Sequence, residues 1–258
     1  MTHTWPTVDS YLSAVVSAAE RMATDAGVAG TTASVPTCPG WSVLDLVAHQ
    51  GMVHRWATAV VRGEDPGSVD VAGLEAQGRG HADPPEWLRE GAAELVRAIA
   101  GAGEDLEVMT FLREAPPPRV FWARRQCHET TVHALDARAA VRGGPVGAGE
   151  VDLDDALLVD GIDELVVGFW QRRSKGPRSE RPHVAAVVVE GGPAWTLEVG
   201  AEHPVTRRVG EGHGIPEEAR VVRGSAADLY LALWNRGGEV DDPTGLLEEW
   251  RGPGAISW

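Results

Sequence analysis

The chain contains one stretch, Val120–Val141, that has neither glycine nor proline and is rich in alanine and arginine. Three consecutive prolines precede this stretch, and the sequence Gly-Gly-Pro follows it. Alanine and arginine are good helix formers, whereas proline and glycine commonly mark helix ends. The sequence therefore predicts one long, uninterrupted helix.

Two potential metal ligands, Glu129 and His133, lie four residues apart within this helix. That spacing places both side chains on one face, one turn apart. A carboxylate and an imidazole in this arrangement can hold one divalent ion, as the two histidines of an HExxH helix do. An isolated pair of this kind is more often a solvated glutamate beside a surface histidine. A catalytic metal site needs a third protein ligand from another element and an open fourth position.

The overall charge argues against several classes of partner. The chain has 258 residues, a formal net charge of -15 and an isoelectric point near 5.0. Nucleic acids and anionic membrane surfaces require a basic protein surface, so neither is expected as a partner.

Three further features of the sequence concern localisation. No apolar run reaches the roughly 18 residues of a transmembrane candidate, no signal peptide is visible, and the two cysteines make no disulfide framework. We therefore expect a cytoplasmic protein.

Apolar residues at helical spacing predict three further helices in the first half of the chain. Ser42 is a favoured N-cap and, with Asp45 three residues later, marks the start of the second helix. The segment 62–81 is rich in glycine and acidic residues and is predicted to be a loop. Four helices without a strand pattern predict a four-helix bundle over residues 1–146, and bundle cores commonly hold metals. The predicted helices are Val8–Ala26, Ser42–Val61, Glu86–Ala102 and Val120–Val141.

One histidine of the second predicted helix, His49, lies within an apolar stripe. The residues that share its helix face are Leu46, Met52, Val53 and Trp56. A single histidine in such a stripe is usually a structural residue of the core. His54 lies roughly 140° further around the helix and faces elsewhere.

The composition changes at the glycine-rich segment Gly143–Gly149, which we interpret as a domain boundary. Beyond it, a helix is followed by β-branched and alternating stretches that predict short strands, with a hairpin turn between the first two. The predicted fold class is therefore α+β, with a small α+β domain and an antiparallel sheet over residues 147–258. The predicted elements are the helix Leu153–Arg173, the strands Val184–Val189, Trp195–Val199 and Ala219–Val222, and the helices Ala226–Asn235 and Leu246–Trp250.

Three motifs resemble those of the mycothiol-dependent maleylpyruvate isomerase family. They are VPTCPGWSVLDLVAHQGMVHRW at the second helix, CHETTVHALDARAA in the long helix and VRGSAADLYLALWNRG in the second half. The motifs occur in the family's order, and the resemblance covers nearly the whole chain. It implies a DinB-like metal-binding four-helix bundle followed by an α+β domain similar to sterol carrier proteins.

The resemblance also implies a set of metal ligands. In the family a divalent metal, usually zinc, is held by a histidine of the second helix and by the ExxxH pair, and these roles fall on His49, Glu129 and His133. Nickel, manganese and iron tolerate the same ligands. Asp136 matches a position where the family often has aspartate, and it is either a partner that orients His133 or a surface charge. The open metal position would take water or the thiolate of mycothiol, a thiol cofactor of actinobacteria.

An acidic substrate needs a cationic partner, and the family uses an arginine near the end of the last motif. Arg236 is the nearest match and is the predicted catalytic residue, with Arg220 and Arg223 as alternatives. Asn235 stands where the family usually has glycine. The groups interpreted as structural are Cys38, Cys127 and His128, and the histidines interpreted as surface residues are His183, His203 and His213.

Three functions are compatible with these residues. The first is cis–trans isomerisation of maleylpyruvate or a related acid, in which a metal-activated mycothiol thiolate adds to the double bond, the bond rotates and the thiol is eliminated. The second is a mycothiol S-transferase that conjugates the thiol to an electrophile in detoxification or biosynthesis. The third is a non-catalytic metal- or ligand-binding protein. The expected partners are mycothiol and a small acidic or electrophilic substrate, and the chain is expected to be a monomer or a homodimer.

Overall fold

The computed structural model describes residues 6–173, 175–210 and 214–251. The chain divides into two compact units: the first comprises Thr7–Phe111 and Ala115–Val146, and the second comprises Leu112–Glu114 and the residues from Gly147 onward. The first unit is helical, and the second combines helices with a β-sheet. The predicted fold class, a helical bundle with a small α+β domain, is confirmed.

Four α-helices of the first unit correspond to the predicted bundle helices. The long helix α5 begins at Pro118, whose fixed φ suits the first helical position. It ends at Gly143, which adopts a left-handed φ of 74°. In α2 the side chains of Ser42 and Asp45 each accept a hydrogen bond from the other's backbone. The bundle helices are α1 (Val8–Ala29), α2 (Val43–Val61), α4 (Pro84–Gly101) and α5 (Pro118–Arg142).

The prediction of a loop over residues 62–81 is wrong. The structure has a 3-10 turn at Pro66–Ser68 and a further helix, α3 (Val71–Gly80), whose first turn is capped by the Asp70 carboxylate. Among the residues of α3, Gly78 is the buried one. A Cβ atom at Gly78 would lie 2.5 Å from the Trp87 ring, so glycine permits the helix to pack closely. A glycine-rich helix with so little buried surface carries no hydrophobic periodicity, so the search for apolar residues at helical spacing did not predict it.

The long helix α5 is the central helix of the first unit. Every residue from Phe121 to Ala137 is buried, including arginine, glutamate, histidine and aspartate side chains. α1 packs along α5, and α2 packs against α3, α4 and α5. Buried polar and charged groups are costly unless they are paired, so those of α5 have to be matched by partners inside the protein.

The sheet of the second unit has four strands in the order β3–β2–β1–β4. β1 and β2 form the predicted antiparallel hairpin, but β4 pairs with β1 in parallel, so the sheet is mixed rather than purely antiparallel. The edge strand β3, which pairs with β2, is absent from the predicted strands. After β3 the chain returns to the far side of β1, and this crossover makes β4 parallel to β1. The strands are β1 (His183–Val189), β2 (Ala194–Val199), β3 (Val205–Arg208) and β4 (Arg220–Gly224).

The helix predicted over Leu153–Arg173 has two parts. α6 (Asp155–Asp163) continues directly into a π-helical turn, Glu164–Phe169. π-helical turns are rare and change the angular spacing of side chains, so hydrophobic periodicity does not reveal them. The last two helices, α7 (Ala226–Leu233) and α8 (Leu246–Arg251), lie where they were predicted. Within the described ranges, none of the helices combines the length and apolarity needed to cross a lipid bilayer.

Candidate metal centre

The structure brings the three predicted metal ligands together inside the first unit. α2 presents His49, and α5 presents Glu129 and His133 one turn apart. One potential ligand atom from each of the three residues lies within 4.8 Å of the other two. His133 Nε2 lies 3.5 Å from Glu129 Oε1, and the two imidazole rings are 5.3 Å apart between centroids. Three donor atoms at this separation surround a space in which one ion could contact all of them.

A buried carboxylate fixes the orientation of His133. The Nδ1–H of His133 donates to Asp136 Oδ2 over 2.8 Å. Asp136 also accepts hydrogen bonds from the Thr37 hydroxyl and, over 3.3 Å, from the Cys38 thiol. Asp136 is completely buried, so its interpretation as a surface charge is wrong. With the proton held on Nδ1, the Nε2 atom of His133 is the one that can face an ion.

The second group with metal-ligand spacing, formed by Cys38, His133 and Asp136, is a hydrogen-bonded cluster. Potential ligand atoms of these three residues also lie within 4.8 Å of one another. However, the Asp136 carboxylate already accepts hydrogen bonds from both other groups. An ion at this position would have to displace these hydrogen bonds. We therefore interpret the cluster as a support that orients His133, whose Nε2 lies on the opposite side of the ring. The structural role predicted for Cys38 agrees with these contacts.

Glu129 is held as a carboxylate by Arg125. Burial alone would raise the pKa of Glu129, but the positive charge of Arg125 and the hydrogen bond and charge of His133 outweigh it and lower this pKa to about 2. Arg125 Nη2 donates to Glu129 Oε2 over 2.9 Å, and both side chains are buried. Sequence reasoning missed Arg125, although its position four residues before Glu129 on the same helix was a usable signal.

The imidazole of His49 is neutral at pH 7. Burial, followed by repulsion from His133, lowers the pKa of His49 to about 4. For His133, burial also opposes protonation, but its hydrogen bonds to Asp136, Cys38 and Glu129 prevail and raise its pKa well above 6.5. A metal ion would therefore have to displace a proton from His133, which is the usual competition at histidine ligands.

An indole ring lies against both candidate imidazoles. The centroid of the Trp41 ring lies 4.9 Å from that of His49, and it lies 6.2 Å from that of His133 in a nearly parallel arrangement. Trp41 stands in the Pro-Gly-Trp turn just before α2. Although this turn belongs to the first family motif, sequence reasoning gave Trp41 no role. The ring contacts show that it helps to hold the two imidazoles in place.

The other histidine of α2, His54, faces a separate polar cluster in the core. The Gln50 amide donates to His54 Nε2 over 2.8 Å, and Thr130 Oγ1 lies 2.9 Å from the same nitrogen. His54 is fully buried, and this burial, reinforced by the charge of Arg55, lowers its pKa to about 3. The prediction that His54 faces away from His49 agrees with this position.

The predicted catalytic arginine, Arg236, belongs to the second unit and is buried there. Its Nη1 donates to the Trp234 carbonyl over 2.8 Å. The preceding Asn235 has a φ of 60°, and asparagine is one of the few residues besides glycine that tolerate this left-handed conformation. A glycine, the residue that the family usually has here, would also adopt this conformation freely. Of the alternatives, Arg220 pairs with Glu249 over 2.9 Å and Arg223 is exposed.

The remaining candidate groups lie apart from the three ligands or in the other unit. Cys127 and His128 are buried in α5, and the His128 ring makes an edge contact with Tyr11, in keeping with a structural role. In the second unit His183 lies 3.3 Å from Glu249, and its side chain is 12% exposed, which is less than its interpretation as a surface residue implies. His203 is half-buried, and His213 lies outside the described residues.

The fold and the site together define a class of protein, in which a helical bundle presents two imidazoles and a carboxylate to one point and an α+β unit follows. The profile of the mycothiol maleylpyruvate isomerase N-terminal domain matches residues 12–138. The profile of the C-terminal domain of the same family matches residues 156–250. The chain therefore belongs to the mycothiol-dependent maleylpyruvate isomerase family and is an enzyme of that family.

Solved structures of similar fold agree with this membership. A crystal structure of the mycothiol-dependent maleylpyruvate isomerase in a histidine-to-alanine mutant superposes with a TM-score of 0.64 at 16% identity, covering 98% of each chain. A second crystal structure of mycothiol-dependent maleylpyruvate isomerase gives a TM-score of 0.61 at 15% identity, again with 98% coverage of both chains. At these identities the likeness establishes the fold. No curated protein is significantly similar in sequence to this chain.

Proposed function

We propose that this protein is a metal- and mycothiol-dependent isomerase that converts a cis-enoic acid of the maleylpyruvate type to its trans isomer. The observation that carries the proposal is the convergence of His49, Glu129 and His133 within 4.8 Å inside the helical unit. Membership of the family supports mycothiol as the thiol and maleylpyruvate as the substrate class.

The residues fit a divalent metal of the catalytic type. Two imidazoles and one carboxylate form a donor set that zinc takes in catalytic sites, where a fourth position stays open for an exogenous ligand. When bound, such an ion would lower the pKa of a coordinated thiol, whose free value is near 8.5, and so supply thiolate at neutral pH.

Each neighbouring side chain has a task in this proposal. Asp136 holds the proton of His133 on Nδ1 and directs Nε2 to the ion. Arg125 keeps Glu129 ionised, and Trp41 packs on both imidazole rings and limits the access of water to them. Arg236 would bind a carboxylate of the acidic substrate; its support is the match to the family motif within the C-terminal domain.

The test combines metal content with turnover. We expect the purified protein to hold about one equivalent of a divalent metal by elemental analysis, and the His133→Ala variant to hold much less. The matched control is His81→Ala, because His81 is an exposed histidine outside the site. The wild type and the control should isomerise maleylpyruvate only when mycothiol is added.

Two results would redirect the proposal. If neither wild type nor variant holds metal after supplementation, the metal-activated mechanism is wrong. If the thiol leaves the enzyme attached to the electrophile instead of being regenerated, the protein is an S-transferase.

A further inference from the structure

The two oxygens of Glu129, the candidate carboxylate ligand, have different neighbours. Oε2 accepts a hydrogen bond from Arg125 Nη2 over 2.9 Å, while Oε1 lies 3.5 Å from His133 Nε2. The exposed fractions of the Arg125 and Glu129 side chains are 3% and 8%. Water therefore competes little with this contact, and a charge-assisted bond in such surroundings holds the carboxylate firmly.

We propose that Arg125 is a positioning residue that restricts Glu129 to binding the metal through Oε1 alone and offsets its charge, so that the site selects an anionic thiol. This inference rests on the proposed function because it takes the metal site as given. Oε1 is the oxygen that lies 3.5 Å from His133 Nε2, and rotating Oε2 into its place would break the bond to Arg125 inside the protein core. Leaving a buried charge without its partner is costly.

The positive charge of Arg125 affects the binding of the thiol through the net charge around the metal. Three charged groups that bear on this balance are the Glu129 carboxylate, the Asp136 carboxylate in contact with His133, and the Arg125 guanidinium in contact with Glu129. A divalent ion bound by a neutral His49 and a neutral His133 carries, together with these three groups, one net positive charge; without Arg125 the same sum is zero. A thiolate is therefore attracted more strongly in the first situation than in the second. Because Coulomb energies are large in partly buried sites, removing Arg125 should weaken thiolate binding by about tenfold or more.

Cobalt(II) is a suitable probe because its visible absorption reports the coordination number. We would load the wild type, Arg125→Met and Arg125→Lys with cobalt(II), measure X-ray absorption and visible spectra, and titrate each with 2-mercaptoethanol. Arg138→Met is the matched control, because Arg138 lies on the same helix but pairs with Asp25 at the protein surface. We expect single-oxygen carboxylate binding in the wild type, the lysine variant and the control. In Arg125→Met we expect a higher coordination number, because both oxygens of Glu129 become available, and weaker thiolate binding.

The outcomes separate this inference from the proposed function. If the wild type binds no cobalt, the metal site itself is wrong. If cobalt binds but Glu129 uses both oxygens in the wild type, or if Arg125→Met matches the control in thiolate affinity, the metal site stands and the role of Arg125 is wrong. If Arg125→Met fails to fold, two measurements remain. The wild type should bind cobalt through a single Glu129 oxygen. Arg125→Lys keeps the charge and should bind thiolate within about threefold of the wild type, so a larger loss would contradict the charge argument.

Discussion

Both units bury an aspartate or glutamate against an arginine, but they use the pair differently. In the second unit Asp163 accepts two hydrogen bonds from Arg208, over 2.6 and 2.8 Å, and one from the Trp195 indole over 2.8 Å. In the first unit one oxygen of Glu129 accepts from Arg125, and the other faces His133. The Asp163 carboxylate is saturated by donors that join a helix to two strands, which makes it a structural tie.

The difference shows how a buried charge can be recognised as part of a site. Both oxygens of Asp163 already accept hydrogen bonds, so binding an ion there would cost existing contacts. At Glu129 the arginine bonds to one oxygen and leaves the other 3.5 Å from His133 Nε2. Since both carboxylates are buried and paired, burial alone does not distinguish them; the direction of the remaining oxygen does.

The largest expected effect is the loss of metal binding in Glu129→Gln. Removing the charged ligand should lower metal affinity by more than about a hundredfold, beyond the 10–100-fold typical of residues that only orient a ligand. Competition with a chromophoric chelator measures this affinity. Glu20→Gln, at an exposed glutamate of the same unit, should bind metal like the wild type. Equal affinity in Glu129→Gln and Glu20→Gln would remove Glu129 from the site.

The complementary change, Asp163→Asn, should lower the stability of the protein and leave its metal binding unchanged. The amide cannot accept both bonds from Arg208, so we expect the free energy of unfolding to fall by about 2 kcal/mol, less than a fully buried pair would lose because Arg208 is partly solvated. Urea denaturation followed by circular dichroism measures the change. Glu198→Gln, in an exposed pair with Arg207, should change stability by less than about 0.5 kcal/mol. A loss of metal in Asp163→Asn would contradict the comparison.

His54 should make the wild type sensitive to acid. Its pKa is about 3 in the folded state and 6.5 in the unfolded chain, so below pH 6.5 the unfolded chain binds the extra proton and the folded state loses stability as the pH falls. By pH 5 this amounts to about 2 kcal/mol. In His54→Gln the free energy of unfolding should therefore fall less between pH 7 and pH 5. The exposed His81→Gln variant should follow the wild type, and identical slopes in all three proteins would show that His54 contributes nothing.

The smallest expected effect concerns the turn before Arg236. Asn235→Ala places alanine in a left-handed conformation, which should cost about 1 kcal/mol of unfolding free energy. Asn235→Gly should stay within about 0.5 kcal/mol of the wild type, because glycine adopts this conformation freely but gains flexibility when unfolded. Denaturation of the three proteins side by side measures both values. If Asn235→Ala has the same free energy of unfolding as the wild type, the turn does not restrict the residue at this position.

Local patterns in the sequence determined most of the helices and the pairing of two ligands. The prolines, glycines and capping residues fixed the ends of α2 and α5 to within a few residues, because such signals act over one helical turn. The spacing of Glu129 and His133 likewise predicted that they share a face. The first two strands of the sheet followed from β-branched and alternating residues around a hairpin turn.

Only the tertiary structure decided what lies around these elements. α3 packs through glycine and has no periodic pattern, and the parallel pairing of β4 with β1 depends on a crossover that no local signal encodes. The hydrogen bond of Thr37 to Asp136 and the stacking of Trp41 on His133 join residues about a hundred positions apart. The sequence by itself therefore determined which residues can act as ligands. Within α5, Arg125 and Asp136 contact Glu129 and His133 at spacings of four and three residues. The approach of His49 to these two ligands and their shielding by Trp41 arise where α2, α5 and the turn at Trp41 meet, because they depend on distances between segments.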